Sequence, residues 1–227
     1  MTMPLSAIRL PSLRSLRGWW PDPWRLGALR LAGAFAALLA LGCGAWAVDG
    51  EIGEMRMIAA LQQGGQIIYL RHADRGHGPR EKLSRDSPVA EFADCGQQRN
   101  LTPNGRDQAR RLGGYWRKLR IPVGRVIASG QCRTRDTALL AFGHVAMDRR
   151  LYDLDFMRAR LLETPDRATN TVIVSSDYPL RALTGIDLDY AEMAVVKPDG
   201  HGGVRVIARL DLADWAEAAE PGWWSAL

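Results

Sequence analysis

The sequence predicts a three-layer α/β/α fold on a mainly parallel central sheet, with an antiparallel hairpin at its edge. Three observations carry that reading. Short apolar runs at 66–70, 125–129 and 171–175 end in polar turn residues, helical patterns separate them, and two β-rich runs flank Pro198-Asp199-Gly200. Strands that alternate with helices form parallel sheets covered on both faces, whereas two strands joined by a tight turn run antiparallel.

Glu54 to Leu61 reads as a short helix closed by Gly64-Gly65, and Gln66 to Leu70 as a buried strand. Residues 73–100 are polar, with Gly76, Gly78, Pro79, Ser84, Asp86 and Pro88, and read as one long loop. A loop of this length in a compact domain is usually functional. Thr102 then supplies an N-cap and Pro103 the first helical position. Ala109, Leu112, Trp116 and Leu119 fall on one face of that helix, opposed by Arg106, Arg110, Arg111, Arg117 and Lys118, so it packs on the sheet through one side. Ile121-Pro122-Val123-Gly124 ends it, and Arg125 to Ser129 forms the second strand. Gly130 to Thr137 lead into an apolar helix from Ala138 to Phe142. Thr171 to Ser175 is the third strand, ended by Ser176-Asp177-Tyr178-Pro179 before a short helix around Leu180 to Leu183. Glu192 to Lys197 and Val204 to Leu210 form the hairpin.

The N-terminus stands apart from this pattern. Arg9, Arg14, Arg17, Arg25 and Arg30 precede an uncharged stretch from Leu31 to Val48, so residues 1–48 read as an export signal or a membrane anchor and residues 49–227 as one folded domain. Ala45-Trp46-Ala47 offers a cleavage site, while about eighteen apolar residues also reach across a bilayer; removal and retention both stay open. Cys43 stands behind Ala40-Leu41-Gly42, an indifferent lipoprotein-processing site. The arginine flank places the domain outside the cytoplasm, in the periplasm or an equivalent space, tethered to the membrane if the segment is kept.

Residues 1–47 hold five arginines against Asp22, a balance of +4, so the chain's +5 leaves only +1 for the domain. A basic nucleic-acid-binding face is therefore not expected. Cys95 and Cys132 are the two cysteines past the segment, and in an oxidising compartment they are a disulfide candidate. No cysteine–histidine cluster with metal-ligand spacing occurs.

The chemistry concentrates at the strand ends. Arg71-His72 follow the first strand and Arg133 the second, and ligands of open α/β sheets bind outside the carboxyl ends of strands. Two guanidinium forks match phosphate oxygens, and a neutral imidazole between them can attack phosphorus. That attack needs a free lone pair on one ring nitrogen, so the other must donate its proton to a fixed acceptor, commonly a backbone carbonyl. On these residues alone, a structural histidine and a surface ion-paired arginine remain alternatives.

Taken together, Leu70-Arg71-His72, Asn100-Leu101-Thr102-x-x-Gly105-x-x-Gln108-Ala109-x-x-Leu112-Gly113 and Ser129-x-x-x-Arg133-x-x-x-Thr137-Ala138 resemble the histidine phosphatase superfamily, with its phosphoglycerate mutase-like fold. The resemblance spans roughly residues 64–210. Asp94-Cys95-x-x-Gln98-Arg99-Asn100-Leu101 and Ile121-Pro122-Val123-Gly124 resemble its exported branch associated with lipopolysaccharide core heptose phosphatases. The resemblance implies hydrolysis of a phosphate monoester through a phosphohistidine at His72, with Arg71 and Arg133 on the phosphoryl group and no metal or organic cofactor. A carboxyl general acid is also implied, for which Asp155 and Asp153 are the candidates by chain order. Arg75 and Arg99 are candidate substrate contacts, and the substrate expected is a phosphorylated small molecule or an envelope glycan. One position departs from the pattern: Ser176 stands where a second pocket histidine is expected, with His77, His144 and His201 as conceivable substitutes. That departure keeps open a second reading, a degenerate member that binds a phosphorylated ligand or a partner without turnover.

Overall fold

The computed structural model describes residues 53–221 except Glu54, residues 78–82 and residues 84–86. The N-terminal stretch expected to be an export signal or membrane anchor, with Cys43, and the loop residues Gly78, Pro79, Ser84 and Asp86 lie outside the described residues.

The domain has a six-stranded sheet in the order β3-β2-β4-β1-β5-β6. Its strands are β1 (Ile67–Arg71), β2 (Val123–Ala128), β3 (Ala146–Met147), β4 (Asn170–Ser175), β5 (Met193–Pro198) and β6 (Val204–Leu210). The first four run parallel, and β5 and β6 close one edge antiparallel, which is the predicted α/β architecture. The middle residues of the central strands are apolar on both sides, as strands covered on both faces require. Ile68, Leu70, Val126, Val172, Val174 and Val195 point into one core; Ile67, Tyr69, Ile127, Ile173, Ala194 and Val196 point into the other.

Helix α1 (residues 55–63), α3 (Pro103–Lys118), α4 (Cys132–Phe142) and α7 (Leu212–Ala218) cover the first face through Ile58, Leu61, Leu112, Trp116, Ala138 and Trp215. Helix α5 (Leu154–Leu161) and α6 (Asp177–Thr184) cover the second through Met157, Leu161 and Leu180. The predicted apolar face of α3 is buried at Ala109, Leu112 and Trp116, and Thr102 caps it by accepting from the Gly105 N–H at 2.9 Å.

Two local expectations are corrected, and one short strand had left no signal. The stretch 73–100 is not all loop: it contains α2 (Val89–Ala93) and a 3-10 turn at Cys95–Gln97. Burial of Phe92 holds α2, and the Gln98 amide bonds the carbonyls of Phe92 and Asp94 at its end. Helix α4 begins at Cys132, six residues before Ala138, so Arg133 belongs to a helical first turn. The two-residue edge strand β3 is too short to leave a period in the sequence, which carries no expectation for it.

Candidate functional site

Register brings the motifs together. Leu70 pairs with Val174, and Val174 with Ala128, so the carboxyl ends of β1, β4 and β2 lie level. Because β5 runs antiparallel and starts at Met193 opposite Leu70, the residues just before β5 reach the same edge. His72 continues the ladder there: its N–H donates to the Ser175 carbonyl at 2.9 Å, and its carbonyl accepts from Ala191 at 3.3 Å.

The His72 side chain is 2 % exposed. Nδ1 lies 2.8 Å from its neighbour's carbonyl, Ala73 O, and Nε2 accepts from Nε of Arg133 at 3.1 Å. A guanidinium can only donate, so Nε2 carries the lone pair and Nδ1 the proton. Burial and the positive charges of Arg133, Arg71 and Arg75 press the imidazole from 6.5 down to about 3, keeping it neutral across the physiological range. Arg133 itself is buried at 5 % exposure, which sets aside the surface ion pair.

Arg71 is held in another way. It donates to the Leu188 carbonyl and lies over the Tyr190 ring at 4.2 Å, while its Nε is buried without a partner. A buried guanidinium N–H left open beside an unprotonated imidazole is a place for an anion, because an unmet buried donor costs about 1–3 kcal/mol. The Tyr190 ring also packs on His72, with centroids 5.6 Å apart.

Helix α3 and helix α4 fix the turn that carries these groups. The Ala73 N–H donates to Thr137 Oγ1 at 3.1 Å, and Thr137 Oγ1 donates to the Arg133 carbonyl at 2.8 Å, so one hydroxyl links the turn after His72 to Arg133. The Asp74 N–H donates to Gln108 Oε1 at 2.9 Å, and the Thr102 hydroxyl donates to the Asp74 carboxylate at 2.7 Å. Gly105 lets α3 come this close: a Cβ there would stand 1.9 Å from the Asp74 carbonyl oxygen. Cys95 and Cys132 form a disulfide, tying the turn after α2 to the residue preceding Arg133.

The remaining sequence candidates fall as follows. Ser176 follows β4 as the N-cap residue of α6, beside His72, and its carbonyl accepts from the Tyr69 hydroxyl. Arg75 donates to the Gly76 carbonyl at 3.3 Å, and Arg99 is half-buried on the segment between the 3-10 turn and α3. Asp153 caps α5 by accepting from the Phe156 N–H at 3.0 Å. Asp155, the other general-acid candidate, has a carboxylate that is 86 % exposed and bonded to Arg158 at 2.8 Å, not to His72, Arg71 or Arg133. The first turn of α5 aims it at water.

Two conceivable histidine substitutes are at the wrong end of the sheet. His144 bonds the carbonyl of Gly124, near the start of β2, and His201 lies in the β5–β6 turn, which falls at the amino end of β1. His77 is exposed on the loop after the site. Sequence reasoning missed Tyr190, Leu188 and the roles of Thr137 and Gln108. The antiparallel hairpin was the available signal for the first two, since it requires the residues before Glu192 to return to the carboxyl end of β1.

No protein-family model and no curated protein matches the chain. Among solved structures it is similar to the protein histidine phosphatase SixA complexed with tungstate, at 16% identity and TM-score 0.46 over 66% of this chain and 98% of that one. It is also similar to phosphoserine phosphatase of Entamoeba histolytica in complex with 3-phosphoglyceric acid, at 12% identity and TM-score 0.41 over 66% of this chain and 98% of that one.

Proposed function

We propose that this chain is a phosphomonoesterase of the histidine phosphatase kind, working through a phosphohistidine at His72. The observation that carries the reading is the buried neutral imidazole with its Nδ1 proton on Ala73 and its Nε2 lone pair turned toward Arg133.

An arriving phosphoryl group takes the place of the Arg133–imidazole contact, so that Arg133 and the open Nε of Arg71 meet its oxygens. Nε2 then attacks phosphorus: the N–P bond forms as the ester P–O bond breaks, and the leaving oxygen takes up a proton. The Ala73 carbonyl holds the Nδ1 proton and stabilises the positive ring that results. Water attacks phosphorus next, the N–P bond breaks, and His72 returns to its neutral form with release of inorganic phosphate. The guanidiniums supply the charge stabilisation, and no metal enters the scheme. As donor of the leaving-group proton, half-buried Asp153 is a better candidate than exposed Asp155.

The finer reading is an extracytoplasmic enzyme acting on an envelope sugar phosphate. It is supported by the arginine-flanked apolar stretch 31–48, by the Cys95–Cys132 disulfide, and by the Asp94–Leu101 and Ile121–Gly124 motifs. Ser176 favours a second reading, binding without turnover, since a serine brings no positive charge to the transition state.

A panel of phosphomonoesters separates the two. Turnover by the full chain that disappears in His72→Ala, and falls in Arg71→Ala and Arg133→Ala, supports the enzyme. Phosphate binding that survives His72→Ala, with no turnover of any ester by the native protein, supports the binder.

A further inference from the structure

One buried charge near the carboxyl end of β1 takes no part in the proposed chemistry. Glu192 lies just before β5, whose first residue pairs with Leu70, and it is 5 % exposed. Both oxygens of its carboxylate are engaged: Oε1 accepts from Nε of Arg209 on β6 at 2.7 Å, and Oε2 accepts from the Asp189 N–H at 2.6 Å. Its backbone closes the same turn, for its N–H donates to the Asp189 carbonyl at 3.1 Å and its own carbonyl accepts from the Arg71 N–H at 3.1 Å. A buried carboxylate is stable only when paired and hydrogen-bonded. Here one partner anchors it to β6, and the other pins the turn that precedes it.

That turn needs such a hold. Buried Ala191 has a φ of +61°, a left-handed conformation that a residue with a Cβ rarely adopts and keeps only where its surroundings fix it. The neighbours of Ala191 show what the conformation delivers. Its own N–H donates to the His72 carbonyl at 3.3 Å, and the Tyr190 ring lies 4.2 Å from the Arg71 guanidinium and 5.6 Å from the imidazole. The Leu188 carbonyl accepts from Nη1 of Arg71. The turn therefore grips Arg71 at one end and across one face, and leaves its buried Nε open.

Resting on the reading of Arg71 as a ligand of the phosphoryl group, we infer that Glu192 is a positioning residue for that arginine. Anchored to β6 by Arg209, it pins the Asp189 N–H and so holds the 188–191 turn that fixes where Arg71 presents Nε beside His72. Its own carboxylate meets Arg209 and Asp189, so its effect on a bound phosphate is expressed only through Arg71.

The affinity of the full chain for inorganic phosphate, read by phosphorus NMR titration, is compared across Arg71→Ala, Glu192→Gln, Arg209→Gln and the two double variants that add Arg71→Ala. Arg71→Ala is expected to weaken phosphate by about tenfold or more, as loss of a charge-assisted contact does. Glu192→Gln keeps the shape of the side chain but removes its charge and one acceptor oxygen. It is expected to weaken phosphate by about fivefold while Arg71 is present, and to add nothing once Arg71 is alanine. Arg209→Gln changes a half-exposed side chain on the edge strand, so it carries the test if Glu192→Gln does not fold; the same dependence on Arg71 is expected, at about twofold to threefold. A merely structural Glu192 would weaken binding equally with and without Arg71. That equality, or full phosphate affinity in both single variants at Glu192 and Arg209, overturns the inference while the phosphoryl site stands. Phosphate binding that survives Arg71→Ala unchanged removes the phosphoryl-site reading and the inference with it.

Discussion

Arg133 Nε donates to His72 Nε2 at 3.1 Å, which makes the imidazole an acceptor on its reactive side and fixes its proton on Nδ1, toward Ala73 O at 2.8 Å. A cation beside a histidine ordinarily costs stability. Here the ring stays neutral, so the contact costs no charge repulsion and leaves a lone pair on Nε2, the form that the proposed attack on phosphorus requires.

The neutral state has a pH signature. The unfolded chain protonates His72 near 6.5 whereas the folded site resists until about 3, so between these values the unfolded state binds more protons. Stability from this site is therefore intact above about pH 6.5 and falls with acid, by about 1.4 kcal/mol per pH unit, levelling off near pH 3. Nitrogen NMR at about pH 5 is expected to find His72 neutral with its proton on Nδ1. Denaturant unfolding of His72→Gln, whose side chain does not titrate, is expected to show a shallower acid slope than the native protein.

Thr137 ties the turn after His72 to α4 through Ala73 and Arg133. Thr137→Val leaves the Ala73 N–H buried and unpaired, with an expected stability loss of about 1–3 kcal/mol. Turnover should fall with it at unchanged KM, and Thr137→Ser, which restores the hydroxyl, should recover most of both. Equal effects of the serine and valine variants would remove Thr137 from this role.

The Cys95–Cys132 bridge closes a loop across 37 residues and ends beside Arg133. Cys95→Ser/Cys132→Ser is expected to lower unfolding free energy by about 2–4 kcal/mol. It should also raise KM for phosphate esters, because the first turn of α4 loses a tether. Thermal and denaturant unfolding with and without reductant read the first effect, and steady-state kinetics the second.

On the proposed mechanism, Ser176 limits the rate. It directly follows Ser175, whose carbonyl accepts the His72 N–H at 2.9 Å, and a positive charge at this position would serve the proposed phosphoryl transfer. One lost donor of this kind costs about a hundredfold to a thousandfold in rate. Ser176→His is accordingly expected to raise kcat by at least about tenfold, with the gain vanishing above the pKa of the new imidazole. Unchanged or lower kcat in a folded variant would count against a rate limit at this position.

Much of this arrangement is legible in the sequence because its signals are local. The strand before Arg71-His72 is an unbroken apolar run, and Thr102-Pro103 starts α3 with both a side-chain cap and a residue that needs no N–H partner. The parallel order followed from the alternation of elements. What was hidden depended on distance along the chain. Tyr190 reaches Arg71 only because β5 turns back antiparallel, and Thr137 meets Ala73 only because α4 starts at Cys132. Helix α2, five residues long, rests on one buried ring rather than on a period. Asp155 was favoured by its place in the order of motifs, and chain order does not say which way a helix turns a carboxylate.

Trapping the intermediate tests the central claim most directly. The full chain is incubated with a phosphate ester radiolabelled in the phosphoryl group, quenched in alkaline denaturant, and mapped by peptide. The account predicts label on the peptide that contains His72, stable to alkali, lost in acid, and absent from His72→Ala. Ester turnover with no protein-bound phosphate, or with acid-stable label on another residue, would contradict it.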